Sequence, residues 1–312
     1  MLRAVMLLAA TFLALIYWPT MNAELQADEL LSLIAAVEEN ERLYSNIDIK
    51  VQFAYEAFRR SSKNTTTEYE EMHRYVNSGN RFYALVENSS RTKTKFFISF
   101  EERSFDGKQT SIQLNDQVAD IHQGRYDDSI VLLPHMLLLH HGSTLLPLSV
   151  YLRGTNATAA QSPTGMSPER KASTEYLGVV SVDGLRCHRV AVSSNGGESR
   201  RDFWLAEDRN YLVVKTKSYI RRVDPFIPVS EGHVAGFQQT ESDVWLPESG
   251  IYTLFDKAVI DSTGESIPSW KHTFRIVSAT LNPEYPDEFF ESKKVDGGMA
   301  MPEPDHKSIP EQ

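Results

Sequence analysis

His135, His140 and His141 form the most metal-like grouping in the chain. On a helix, side chains at i and i+4 share a side, but His135 and His140 differ by five positions and do not aim at one ion. No Asp or Glu stands between them to complete a ligand set or act as a base. They read instead as a helix end beside Gly142, where positive charge is mildly favourable. Cys187-His188 joins a thiol to a base in sequence only, because neighbours on a strand point to opposite faces. Cys187 therefore reads as a small apolar core residue. Gly165-Met166-Ser167-Pro168-Glu169 matches a nucleophile elbow except at its last position, where glycine is required and Glu169 stands; no strand precedes it. The triplets at Asn64, Asn88 and Asn156 fit the glycosylation acceptor pattern, which is frequent by chance. The carboxylates mostly alternate with apolar residues and read as a solvated strand face. No catalytic residue, metal or cofactor is expected.

Composition narrows the rest. The 312 residues include 32 Lys plus Arg against 42 Asp plus Glu, a formal charge of -10. A phosphate-backbone binder needs a basic face, so no nucleic-acid partner is expected. With 41% hydrophobic and 24% charged residues the chain has a globular balance. That excludes a disordered acidic chain, a polytopic membrane protein and a collagen-like fibre. A single cysteine excludes an internal disulfide and a cysteine-rich zinc site. At the start, Arg3 is followed by an uncharged apolar run, Val5 to Trp18, then Pro19 and the small Ala23. The run is shorter than the roughly 20 residues of a bilayer span. Residues 1–23 read as a signal peptide cut near Ala23, with an uncleaved anchor as the alternative, since Met21 stands where a small residue is preferred. Export without disulfides points to a bacterial envelope and a periplasmic location.

The elements that would position any site begin with a helix over Asp28–Tyr44, on which Leu30, Ile34, Val37 and Tyr44 recur at helical spacing. The period then becomes two in Ile47–Glu56, which predicts a strand with one buried and one wet face, as in an antiparallel sheet. Turn signals follow at Ser78-Gly79-Asn80, Asp106-Gly107, Asp183-Gly184, Asn195-Gly196-Gly197, Asp208-Arg209-Asn210, Glu248-Ser249-Gly250 and Thr263-Gly264. They predict a mainly β chain: a long antiparallel meander of about ten to twelve strands, too many for a flat open sheet. The apolar stretch from Asp128 to Leu152, broken by Gly142 and Pro147, predicts a helical insert that must be buried. Gly154 to Lys171 reads as a loop. Residues 24–282 form one domain, and the Pro- and Gly-rich tail 283–312 reads as extended or disordered.

The order of these pieces resembles the LolA-like superfamily of periplasmic lipoprotein carriers. The resemblance rests on the helix with Leu30, Ile34 and Val37 followed directly by the strand Ile47–Tyr55, and on a mid-chain helical insert. It continues through Tyr176-Leu177-Gly178, Val182-Asp183-Gly184-Leu185, Phe203-Trp204-Leu205 and the later Leu-Val-Val-Lys. It covers most of Asp28 to Leu281. It implies an unclosed antiparallel half-barrel whose concave apolar side is covered by helices, and an activity of holding acyl chains without catalysis.

The apolar inward set is accordingly the candidate site: Ile47, Ile49, Val51, Phe53 and Tyr55, with Phe96, Ile98, Phe100, Phe203, Leu205, Phe274 and Ile276. Ile130, Leu133 and Leu137 are expected on a helical lid over it. For any single residue a filled core is the simpler reading; the count of inward aromatics with few helices to cover them favours a pocket. The leading expectation is an exported, non-enzymatic binder of lipid or of an acylated lipoprotein. The second is a periplasmic regulator or protein-interaction module of the same fold, touching a membrane partner protein. The third, an extracellular enzyme acting on a polymer, lacks a visible acid/base pair.

Overall fold

The computed structural model describes residues 26–58, 65–91, 96–114, 117–123, 133–139, 147–154 and 172–291. Helix α1 (residues 26–42) buries Leu33, Ile34, Val37 and Glu41 along one stripe, as its 3.6-residue period dictates. One antiparallel sheet of thirteen strands follows. Its first strand, β1 (Asn46–Phe58), alternates strictly, with Ile47, Ile49, Val51 and Phe53 all fully buried. The left wing is β2 (Thr65–Ser78), β3 (Arg81–Arg91), β4 (Phe96–Phe105), β5 (Gln109–Leu114) and β6 (Gln117–Gln123). The right wing is β7 (Ser173–Val182), β8 (Leu185–Ser194), β9 (Ser199–Ala206), β10 (Leu212–Ile220), β11 (Ser230–Gln239), β12 (Trp245–Phe255) and β13 (Pro268–Leu281). The spatial order is β6-β5-β4-β3-β2-β1-β13-β12-β11-β10-β9-β8-β7, so every pairing but one joins sequence neighbours. The exception is β1 with β13, from Ile47↔Leu281 to Ala57↔Trp270, with a bulge at Lys50/Val51. The sheet does not close into a barrel, since β6 and β7 are its two edges.

Between those edges the chain supplies the cover. A 3-10 helix (Pro134–Leu139) lies over β10, β11 and β12, and the short helix α2 (Leu148–Leu152) lies beside α1. Leu133, Met136, Leu137, Leu138, Leu148 and Leu152 join α1 and the inner side chains of the sheet in one buried cluster. Helix α3 (Lys257–Thr263) links β12 to β13, capped by Asp256 at its start and ended by Gly264 at φ 74.

Three expectations change. Glu248-Ser249-Gly250 is not a turn but the middle of β12. Gly250 serves there because the ring of Phe274 fills the place of its side chain. The strands exceed the expected number because β6 and β11 carry too few β-formers to be noticed; β11 reads Ser-Glu-Gly-His-Val-Ala-Gly-Phe-Gln-Gln. The tail is not extended at its start. Residues 287–289 form a 3-10 turn and Phe290 is fully buried against Val76 and Tyr83, on the outer face of the left wing. Tyr285 donates to Asp48 at 2.5 Å and Arg74 holds the same carboxylate at 2.7 Å. Residues 1–25, 155–171 and 292–312, with the signal segment and the Gly154–Lys171 loop expected there, lie outside the described residues, Gly154 itself apart.

Candidate functional site

The inner face, defined as the side that carries the helices, divides into an apolar half and a polar aromatic half. The apolar half holds nine of the expected site residues: Ile47, Ile49, Val51, Phe53, Tyr55, Phe203, Leu205, Phe274 and Ile276 all lie in the single large cluster. Leu133 and Leu137 sit in it from above; Ile130 lies outside the described residues. The face is covered and filled: Phe53 has no exposed surface and meets the rings of His73 at 4.8 Å, His272 at 6.2 Å and Phe274 at 6.5 Å.

Phe100 is not on the inner face. Residues directly opposite in a ladder share a face. Phe100 pairs with Glu87, which pairs with Met72, which pairs with Gln52, the outer column. The reason is phase: Phe96-Phe97-Ile98-Ser99-Phe100 is apolar at both parities, so its sequence does not declare which one faces inward. The side chains of Phe96 and Ile98 lie outside the described residues.

The polar half was missed. Counting from Val51, the inner column runs His73, Val86, Glu101; from Ile49 it runs Tyr75, Ala84, Arg103. His73 Nε2 stands 2.8 Å from Glu71 Oε2, and Nδ1 2.7 Å from the Tyr75 hydroxyl. A carboxylate only accepts, so Nε2 carries the proton. Glu101 and Arg103 form an ion pair on the same wing. The carboxylates Glu71 and Glu101 are therefore not on a solvated face, and neither is Asp202, buried between Arg189 and Arg200. Above this ladder Tyr55 stacks on Tyr69 at 4.6 Å, with Trp270 at 5.4 Å and His272 at 5.9 Å. Burial, then the nearby Glu71, lifts the Tyr55 hydroxyl above the ordinary tyrosine range, and burial does the same to Tyr75. Hydroxyl, imidazole and carboxylate stand in the order of a nucleophilic relay, but a phenol so raised holds its proton. The chemistry within reach is a fixed polar wall beside an apolar one.

Two polar hubs hold the cover. Glu41 lies on the buried stripe of α1, where its carboxylate accepts from Leu148 N at 2.5 Å, from Ser149 N and from the Ser149 hydroxyl. Burial raises its pKa above the usual carboxylate value against the pull of those donors. Glu38 pairs with Arg153 at the other end of α2. The second hub is Asn210, in the left-handed region at φ 54. Its side chain donates to Asn40 Oδ1 at 3.0 Å and accepts from Trp245 N at 2.7 Å, and its carbonyl accepts from His135 Nε2 at 2.8 Å. His135 is thus a buried, neutral strut rather than a charged helix end: burial lowers its pKa to about 4. His140 and His141 lie outside the described residues. Among the described residues no three metal-ligating groups cluster. Cys187 is buried beside Trp204 and Val214, its thiol pushed up to about 11 by burial, while His188 on the other face accepts or donates to Tyr176 at 3.0 Å. At the sheet's end a depression of ≈ 390 Å³ opens between the β11–β12 turn and β13; Leu246, Ala279 and Leu281 of the apolar cluster lie at its floor.

The architecture is a single antiparallel sheet, unclosed, with an N-terminal helix and short helices on its inner face. No protein-family model matches the chain, and no curated relative does. Among solved structures it is similar to a DUF1329 family protein from Desulfovibrio piger, at 10% identity and a TM-score of 0.44, over 84% of this chain and 97% of that one. It is also similar to a domain described as an outer membrane lipoprotein-sorting protein from Vibrio parahaemolyticus, at 8% identity and 0.43, over 82% and 95%. LprF from Mycobacterium bovis follows at 9% identity and 0.26, over 82% and 97%. At such scores the case for function rests on the chain's own geometry.

Proposed function

We propose that the chain is an exported, non-enzymatic binder of an apolar ligand, lipid or the acylated end of a lipoprotein, carried on the covered inner face. The observation that carries this reading is the nature of the cover. Beside the one long helix α1, a 3-10 helix and the short α2 shield the apolar columns of β9, β10, β12 and β13, and a handful of polar contacts at Glu41, Asn210 and His135 hold them there. An acyl chain gains about 0.8 kcal/mol per buried methylene, enough to replace Leu133, Met136, Leu137 and Leu138 without a hydrogen bond. The depression floored by Leu246, Ala279 and Leu281 gives such a chain a way in.

The test is titration with a fluorescent fatty acid, alongside native mass spectrometry of gently purified protein. Saturable binding and co-purified lipid are expected. Phe53→Ala should lower the affinity and, because the ring is fully buried, also destabilise the fold by about 3–5 kcal/mol. A wild type that binds no apolar probe, with that full stability loss, rejects the carrier. It leaves the second reading, a periplasmic regulator or interaction module meeting a membrane partner protein, which the deep burial of the inner cluster favours.

A further inference from the structure

β12 and β13 part before either strand ends. Their ladder runs from Phe255↔Pro268 to Ser249↔Arg275 and stops, while β12 reaches back to Trp245 and β13 runs on to Leu281. The sheet is therefore split at one end beside its middle, since β13 is the seventh of its thirteen strands. On so central a strand Val277 is 49% exposed.

The sequence of β12 makes the split. Thr240 N donates to Val244 O, which turns the backbone groups of Val244 and Leu246 toward β11 and those of Trp245 and Pro247 toward β13. Pro247 has no N–H to give. Trp245 N donates to Asn210 at 2.7 Å, and its carbonyl accepts from the Tyr44 hydroxyl. Here β12 has no N–H left for its neighbour. Across the gap, Asn282 N donates to Asn46 O at 2.8 Å. Backbone groups alternate sides along a strand. Those of Thr280 and Ser278 thus face β1, opposite Asp48 and Lys50, and those of Leu281 and Ala279 face the gap. Neither Ala279 nor Leu281 has a backbone partner there among the described residues. The gap is the depression of ≈ 390 Å³, with Gln239, Thr240 and Ser242 in its wall.

We propose that this gap is a slot for an extended peptide, which pairs its backbone with Ala279 and Leu281 as the missing strand. Amides and hydroxyls line it, with one carboxylate, Glu241, and no Lys or Arg, so it offers nothing to a phosphate or a free carboxylate. An acyl chain would cover the floor but leave the N–H and C=O groups of both residues unmatched. A polypeptide meets both demands: its own groups repeat every second residue, about 6.8 Å apart, and alternate side chains turn down onto the floor. About three residues fill the slot, roughly 10 Å of strand. The inference goes beyond the carrier reading and does not depend on it; the two share only the floor of the depression.

Immobilised full-chain protein is offered a pool of acetylated, amidated heptapeptides with Val, Leu, Ile or Phe at odd positions and Ser, Thr or Gln at even ones. Enriched peptides are labelled and titrated by fluorescence anisotropy. Saturable binding that does not fall with salt is expected. N-methylation of alternate residues along one peptide edge should weaken it by about tenfold or more, and along the other edge far less. A279P removes an N–H that faces the gap and spares the ladder to β1, so it should weaken binding to the same degree. Because a proline can also disturb β13, amide exchange of the wild type is followed by NMR. Peptide should slow exchange at Ala279 and Leu281 and leave Ser278 and Thr280 unchanged. Equal binding with either edge methylated, or exchange at Ala279 and Leu281 that peptide does not alter, overturns the proposal. So does a pool from which nothing is enriched. Fatty-acid titration of the same protein reports on the carrier reading separately, since its failure leaves the backbone of β13 as open as before.

Discussion

Gly250 and Phe274 share one space. A Cβ on Gly250 would stand 2.5 Å from Cε1 of Phe274 and 2.9 Å from the carbonyl oxygen of His233. The two residues are directly paired between β12 and β13, so the ring lies flat across the neighbouring backbone. Gly250→Ala must move either the ring or a strand, and overpacking of this kind costs about 1–3 kcal/mol. Urea denaturation measures it, and G250A/F274L should recover part of the loss. A change within about 0.5 kcal/mol would mean the ring moves freely.

Asn210 should be among the most sensitive polar positions. Asn210→Ala removes the bonds to Asn40 and Trp245 and places a β-carbon at φ 54. A loss of about 2–4 kcal/mol is expected. Asn210→Gly relieves the backbone but not the missing bonds, so it should fall between wild type and alanine. Equal stabilities for glycine and alanine would show that the backbone conformation contributes nothing.

His135 makes the cover acid-sensitive. Its folded pKa of about 4 lies below the ordinary 6.5. Its contribution is therefore present above pH 6.5 and is lost as pH falls toward 4, up to about 3 kcal/mol. Hydrogen exchange over 134–139 should quicken across that window, and H135Q should flatten the dependence. An unchanged profile in H135Q would place the titration elsewhere.

Glu41 carries the opposite sign. Its folded pKa is raised, so its contribution is full below the ordinary glutamate value and is lost as pH rises through the raised one. The difference in stability between wild type and E41Q should therefore shift in favour of E41Q with rising pH, whatever its offset from the lost acceptor at Ser149. A difference that is flat with pH would show that the carboxylate is ionised at no expense.

The sequence made the hairpins legible because Asp-Gly and Asn-Gly turns act locally: Asp106-Gly107 and Asp183-Gly184 fall between strands as expected. Helix α1 was equally plain in its apolar spacing. The inner face was legible only where one parity is apolar, as in β1 and β13. In β4 both parities are apolar and the phase depends on register inherited across three strands. Tyr69, Glu71, His73 and Tyr75 do alternate visibly, but polar residues at period two look the same on a wet face as on a buried one. Glu41 left a signal, a carboxylate between Val37 and Tyr44 on the apolar stripe. Asn210 left none, since its partners lie 170 and 35 residues away.

The position of β1 in the sheet governs how the chain is made. Its first neighbour, β2, follows at once, but its other neighbour is the last of the described strands to be synthesised. Until Pro268–Leu281 has emerged, the edge of β1 from Ile47 to Ala57 is bare, flanked by the most apolar column of the molecule. An unpaired edge of that composition is a template for pairing with other chains. A polypeptide cut short anywhere before β13 would keep all its local hairpins and still present that template. Nascent or truncated chains of this protein therefore carry a pairing liability at β1 that the finished molecule has buried.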